Sequence, residues 1–289
     1  MRTLNSTSIG RRGRMANMSR PRRRSHSQFS QYKRCGHEYE HSRVLRTPQA
    51  PAAWFAQGTA VHAAIEQFEK SARTLTKVQA VDAYVAAWAD EQEKMFKVEP
   101  DVNRWRVIGR KRPSKDLEDR YLEGHRQVVG YVDYVKSSGE TVWSLPDGKP
   151  AVEVEFNVEL DGVPVLGYID QIIEHPDLGL MVRDIKTGTK LPTDPLQLVL
   201  YKMAMKIQFD VDVQYGDYWM GKNLAPTDPY WLGNVDAAWL ADQYRQMDIA
   251  ERNGVYLANP GDHCRVCGFK GQCFIFGGKV VARQSEESQ

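Results

Sequence analysis

From Val152 to Leu160 the chain alternates without a break: Val152, Val154, Phe156, Val158 and Leu160 are apolar, and Glu153, Glu155, Asn157 and Glu159 between them are polar. A period of two belongs to a strand with one buried face, and the Asp161-Gly162 pair that follows is a tight-turn signal. This stretch commits the chain to a sheet. A second strand is expected over 163–174 and a third over 180–186, joined at His175-Pro176-Asp177 and Leu178-Gly179. Ahead of them the period is helical: over 58–70, Val61, Ile65 and Phe68 share one face of a helix that carries His62, and further helical patterns cover 78–97 and 116–136. Beyond the third strand, Thr193 or Asp194 can cap a helix with Pro195 at its first position, running through Leu196, Val199, Leu200 and Met203. A strand-like segment near 211–220 and a helix near 236–253 complete an α/β pattern.

The length of 289 residues fits one large domain with appendages. The apolar runs are too short to span a bilayer and no secretory leader opens the chain, so the expectation is a soluble, cytoplasmic protein without membrane contact. The net charge of +2 conceals an asymmetry: residues 1–34 hold ten Lys or Arg and no acid, which leaves 29 basic against 37 acidic residues in the remainder. Residues 1–26 are expected to be a disordered basic arm. Such an arm attracts polyphosphate, and its Arg-rich, acid-free composition also leaves organelle targeting open. The segment 284–289 is expected to be a polar tail.

The third strand carries the chemistry. Its period places Val182, Asp184 and Lys186 on one face and Met181, Arg183 and Ile185 on the other. An acid and a lysine side by side on an apolar strand are costly unless something there needs them. Asp170 on the preceding strand supplies a second carboxylate, and two such oxygens on adjacent strands suit Mg²⁺ or Mn²⁺. His62 can add a ligand, or Glu66 one turn later can simply partner it; Glu153 and Glu155 can add an acid, or face solvent. Trp105 with Arg104, Arg106, Arg110 and Lys111 can line a nucleic-acid channel or form an ordinary exposed loop.

The four cysteines, Cys35, Cys264, Cys267 and Cys273, lack the secretory context of a disulfide framework and are available to metal. Three cluster near one end, and Cys35 can join them only if the chain ends meet. Four thiolates suit tetrahedral Zn²⁺ as well as an iron–sulfur cluster, with His37 and His263 as spare ligands.

Four short motifs occur in order on the expected elements: Gly58 to His62 on a helix, Gly167-Tyr168-Ile169-Asp170 on a strand, Asp184-Ile185-Lys186-Thr187-Gly188 on a strand, and Gln197-Leu198-Val199-Leu200-Tyr201 on a helix. Together they resemble the RecB-like branch of the PD-(D/E)xK nuclease superfamily, and within it the CRISPR-associated iron–sulfur exonucleases and their phage relatives. The stretch 27–41 resembles that family's Ser and Tyr lead-in to the cysteine, with Gly36 where proline is usual. The resemblance implies a restriction-endonuclease-like core, a mixed central β-sheet flanked by helices. A single nuclease domain is expected over 27–283, with a helical insertion at 71–150, the catalytic sheet and helix at 151–220, and an iron–sulfur region at 254–283 closing on Cys35. It further implies that His62, Asp170, Asp184 and the carbonyl of Ile185 hold Mg²⁺ or Mn²⁺, with Lys186, Gln197 and Tyr201 completing the catalytic set. A [4Fe–4S] cluster is implied at Cys35, Cys264, Cys267 and Cys273.

The expected activity is hydrolysis of DNA, single-stranded and from an end, in the cytoplasm or, for a phage protein, the host cytoplasm. No phosphate-binding loop of the helicase type is present, so any unwinding falls to a helicase, recombination or CRISPR adaptation partner. The alternative reading is a catalytically inactive nuclease-like module that binds DNA in such a complex.

Overall fold

A computed structural model of the chain describes residues 22–277. Seven α-helices occur among them: α1 (His26–Arg34), α2 (Gly36–Tyr39), α3 (Ala53–Lys70), α4 (Lys77–Val98), α5 (Pro113–Ser137), α6 (Leu196–Phe209) and α7 (Ala237–Arg252). The strands are β1 (Thr141–Val142), β2 (Val152–Leu160), β3 (Val163–His175), β4 (Gly179–Lys186), β5 (Tyr215–Met220), β6 (Ala225–Pro226) and β7 (Tyr230–Trp231).

The expected meander is present. β2 and β3 form a hairpin from Leu160↔Val163 to Val152↔Gln171, and β1 continues along the same edge of β3 at Thr141↔Glu174. On the opposite edge β4 pairs antiparallel from His175↔Gly179 to Gln171↔Arg183. The chain then crosses through α6 to β5, which runs parallel to β4 from Met181↔Tyr215 to Lys186↔Met220. The short β6 and β7 cover the outer edge of β5. The sheet is therefore mixed, because a helix-length crossover permits a parallel return that a hairpin does not.

Both faces of the sheet are covered. On one, Phe29 of α1, Leu198 and Tyr201 of α6 and Tyr244 of α7 pack against Val154, Phe156, Ile172 and Val182. On the other, the expected Val61, Ile65 and Phe68 stripe of α3 joins Tyr84 of α4 and Tyr131 of α5 around Ile185 and Trp219. A parallel pair such as β4 and β5 needs this two-sided cover.

Arg183, on the α3 side of β4, is only 1% exposed. Its guanidinium is paired twice over, to Glu140 at 2.6 and 2.9 Å and to Asp217 at 2.7 Å. Removing one member of a buried network leaves the others charged and uncompensated. Arg183→Met is expected to lower the unfolding free energy by about 3–5 kcal/mol, measured by urea denaturation.

The basic arm requires a correction at its end. Residues 1–21 lie outside the described residues, as do 278–289 with the expected tail. Within 22–26, Arg24 is not part of a solvated coil, for it pairs with β3 through its backbone, donating to Pro164 O at 2.8 Å and accepting from Leu166 N at 2.9 Å. Its buried side chain reaches Asp248 at 3.1 Å, and also Glu251 and Tyr39. The two acids of α7 make burial of this arginine tolerable, a compensation invisible in the local sequence.

Candidate active site and cysteine pocket

The β3–β4 backbone ladder ends at Gln171↔Arg183. Just beyond, the carboxylate of Asp170 replaces a backbone carbonyl as partner to β4 and accepts from Ile185 N at 2.7 Å. On the other edge of β3, Val152↔Gln171 and Val154↔Ile169 leave Glu153 opposite Asp170. Glu153 has a φ of 50°, in the left-handed region that costs a non-glycine residue energy. From α3, His62 Nε2 lies 3.0 Å from the carbonyl of Ile185, while Nδ1 faces Glu153 at 3.6 Å and Asp170 at 3.7 Å. Ligand atoms of His62, Glu153 and Asp170 all lie within 4.8 Å of one another. Glu66 is not the histidine's partner; it pairs with Lys70 at 2.5 Å.

A closed ring of polar groups adjoins these three. Lys186 Nζ sits 2.7 Å from Asp184 Oδ2 and donates to Gln197 Oε1 at 2.7 Å. Gln197 Nε2 donates to the Tyr201 hydroxyl at 2.9 Å, which lies 3.1 Å from Asp184 Oδ1 and 3.5 Å from Asp170 Oδ1. One turn of α6 separates Gln197 from Tyr201, which is why the two act on one face. The Tyr201 ring is held edge-on by Phe156, 6.2 Å between centroids. Phe156 in turn occupies the space a side chain at residue 167 would need, since a Cβ there would come within 2.4 Å of the ring. The glycine of the strand motif thus makes room for the phenylalanine that steadies the tyrosine.

The charges are strongly coupled. Burial and the neighbouring Asp184 push the Asp170 carboxyl up to about 7. Burial alone would depress His62, but Asp170, Glu153 and Asp184 outweigh it and hold the imidazole protonated up to about 9. Buried beside both acids, the Tyr201 phenol is held well above its usual range and remains neutral. A site that concentrates acids and retains protons to offset them is one a divalent cation can neutralise instead.

His62, Asp170, Asp184, Ile185, Lys186, Gln197 and Tyr201 thus lie together, with further residues beside them. Glu153 joins His62 and Asp170, whereas Glu155 faces outward and accepts from the Tyr168 hydroxyl at 2.9 Å. The turn after β4 is held from the helical layer: Gln127 of α5 donates to Thr187 O at 3.0 Å and accepts from Gln57 of α3 at 3.2 Å. From the N-terminal side, Lys33 pairs with Asp194 at 2.7 Å. His26, bonded to Ser30 at 2.9 Å, is pushed down to about 4 by burial and by the charge of Lys186, and is neutral at physiological pH. Gln57, Gln127, Lys33 and His26 stand isolated at distant positions and gave no sequence signal for these roles; a clue existed only for Glu153, an acid on the strand next to Asp170.

Trp105 does not line a channel. It is 4% exposed, packs on Phe96 and donates its indole N–H to Glu99 O at 2.8 Å.

At the far end of the chain, Cys35, Cys264, Cys267 and Cys273 line one pocket with His37, Glu38 and His263. Cys35 arrives at the junction of α1 and α2, and the loop after α7 reaches it through Asn259, whose N–H points at Cys35 Sγ at 3.5 Å and whose side chain donates to Arg34 O at 3.0 Å. The early and late cysteine segments therefore meet within the described residues. Among the described residues only His62, Glu153 and Asp170 form a group of three or more ligand atoms all within 4.8 Å of one another. No helix among the described residues is long and apolar enough to cross a membrane.

Comparison with known proteins agrees with this geometry. The family model of the PD-(D/E)XK nuclease superfamily matches residues 23–274. The "Gene 69 protein" of Mycobacterium phage D29 is 34% identical over 263 residues, covering 88% of this chain and 97% of that protein. Its namesake in Mycobacterium phage L5 is 30% identical over 281 residues, covering 88% and 96% respectively. With the four motifs assembled around one cleft and the match running through nearly all the described residues, the chain belongs to the PD-(D/E)XK nuclease superfamily.

Proposed function

We propose that this protein is a divalent-metal-dependent deoxyribonuclease that degrades single-stranded DNA from an end and carries a [4Fe–4S] cluster as a structural clasp. The observation that carries the catalytic reading is the approach of His62, Glu153 and Asp170 to within 4.8 Å beside a lysine held 2.7 Å from Asp184. His62, Asp170, Asp184 and the Ile185 carbonyl, with Glu153 added, would hold Mg²⁺ or Mn²⁺. Bound there, the ion would polarise the scissile phosphate and lower the pKa of a water. Lys186 offsets charge that develops on the phosphoryl oxygens and orients the attacking water, and Gln197 and Tyr201 keep its ammonium in place.

The cluster reading is supported by Cys35, Cys264, Cys267 and Cys273 lining one pocket. Four thiolates also suit tetrahedral zinc, and colour separates the two. If the cluster is bound there, anaerobically purified protein is expected to be brown.

The test is cleavage of end-labelled single-stranded and duplex DNA with Mg²⁺ or Mn²⁺, combined with metal titration across pH. Progressive shortening from a terminus supports the exonuclease; internal cuts overturn that part alone. Protein that binds DNA and metal but never cuts would replace the enzyme with a binding module.

Because Asp170 keeps its proton to about pH 7 and His62 to about 9, metal must displace protons. Mn²⁺ affinity is expected to climb from pH 6 to 9, by about tenfold per unit for each proton displaced. The metal-free protein should show the opposite trend. Asp170 binds its proton more tightly folded than at its ordinary value of 3.8, so this contribution to stability is lost as pH rises through about 7. A metal affinity flat between pH 6 and 9 would remove these two groups from the ligand set.

A further inference from the structure

We propose that Phe55, with Trp54 beside it, is a base-stacking platform for the strand whose phosphate lies at the metal site, so that an unpaired nucleotide is what the cleft accepts; this rests on the nuclease reading. The groove leaving the site is lined by Trp54, Phe55, Gly58, Thr59, His62, Ala63 and Glu66 of α3 together with Glu153 and Thr187. These positions recur every three or four residues, so they form one continuous stripe of the helix running through the candidate ligand His62. Phe55 stands two turns before His62, about 10 Å along the axis. That separation places its ring beside a base at the scissile phosphate or one nucleotide away.

Phe55 is 59% exposed in a stripe whose other members, Trp54 apart, are small or polar, an arrangement that burial does not explain. It is nevertheless held firmly. The Arg106 guanidinium lies 5.2 Å from the Trp54 ring centroid and 5.6 Å from that of Phe55. Arg106 is fixed by Gln49 at 2.5 Å and by its own N–H to Pro51 O at 2.9 Å, and it leaves no room for a side chain at Gly268, next to Cys267. An exposed aromatic ring backed by a cation matches the chemistry of single-stranded DNA, in which each base offers a π face and each phosphate a negative charge. Glu66, the acid at the other end of the stripe, is paired to Lys70. A base inside a duplex has no free face, so a platform this close to the cut requires a frayed or unpaired end.

The experiment uses full-length protein with Ca²⁺ in place of the catalytic metal and a single-stranded oligonucleotide carrying 2-aminopurine near its end. Wild type is expected to quench the fluorescence and Phe55→Ala to leave it unquenched, with DNA affinity about 5- to 100-fold weaker and Phe55→Trp restoring both. An abasic site at the same nucleotide should cost wild type a comparable factor and cost Phe55→Ala little more. Equal quenching by both proteins, or equal abasic penalties in both, overturns the platform while leaving the nuclease intact; Phe55 would then face a protein partner. A wild type that neither binds nor, with Mg²⁺ or Mn²⁺, cuts single-stranded DNA overturns the platform together with the single-strand part of the nuclease reading, and cleavage of duplex alone would leave a nuclease of different substrate.

Discussion

Asp184→Ala and Lys186→Ala are each expected to reduce DNA cleavage by at least about 10²- to 10³-fold, the loss that follows removal of a single charge-stabilising group from a preorganised site. The two should fail for different reasons. Asp184 is 1% exposed and touches both Lys186 and Tyr201, so its removal takes away a candidate metal ligand and the anchor of the polar ring. Mn²⁺ binding should weaken with it. Lys186 contacts Asp184 and Gln197 but, as a cation, ligates nothing. Its removal should leave Mn²⁺ affinity unchanged or higher while single-turnover cleavage collapses. Asp184→Asn keeps the shape and the Tyr201 contact, so a fold defect can be separated from a ligand defect by comparing the two Asp184 variants in thermal melts. Cleavage at wild-type rates in either alanine variant would place the chemistry elsewhere.

Cys35→Ser is expected to bleach the anaerobically purified protein and to lower its melting temperature by about 10–20 °C. The magnitude follows from chain entropy. Cys35 and Asn259 meet across 224 residues of sequence, and a cross-link closing a loop of that size restricts the unfolded chain by about 5 kcal/mol. Limited proteolysis should then release the segment around α1 and α2 first, although Arg24 still ties it to α7 through Asp248 and Glu251. Colourless wild-type protein with stoichiometric zinc would replace the cluster with a zinc clasp and keep the stability prediction. Unchanged melting in Cys35→Ser would mean that the arginine network alone closes the chain.

The local sequence determined what depends on neighbours along the chain. Alternation over 152–160 fixed β2 because a one-residue slip would expose every apolar side chain. The helical stripe of Val61, Ile65 and Phe68 fixed the buried face of α3 and, with it, the side on which His62 emerges. The motifs around Asp170, Asp184 and Gln197 were legible for the same reason: each is a short pattern on one element.

Only the tertiary structure decided which of many similar residues matter. Glu153 and Glu155 look alike on β2, yet the broken pairing opposite Asp170 and a φ of 50° bring Glu153 to His62, while Glu155 faces out to Tyr168. Arg24 reads as one more charge in a basic arm, but two acids from α7, more than 220 residues away, draw it into the interior. Trp105, a channel candidate when read from its basic loop, is buried, whereas Phe55, which the sequence did not single out, is exposed beside the site. Each of these outcomes is set by burial and charge compensation between distant segments, and those exist only once the chain has packed.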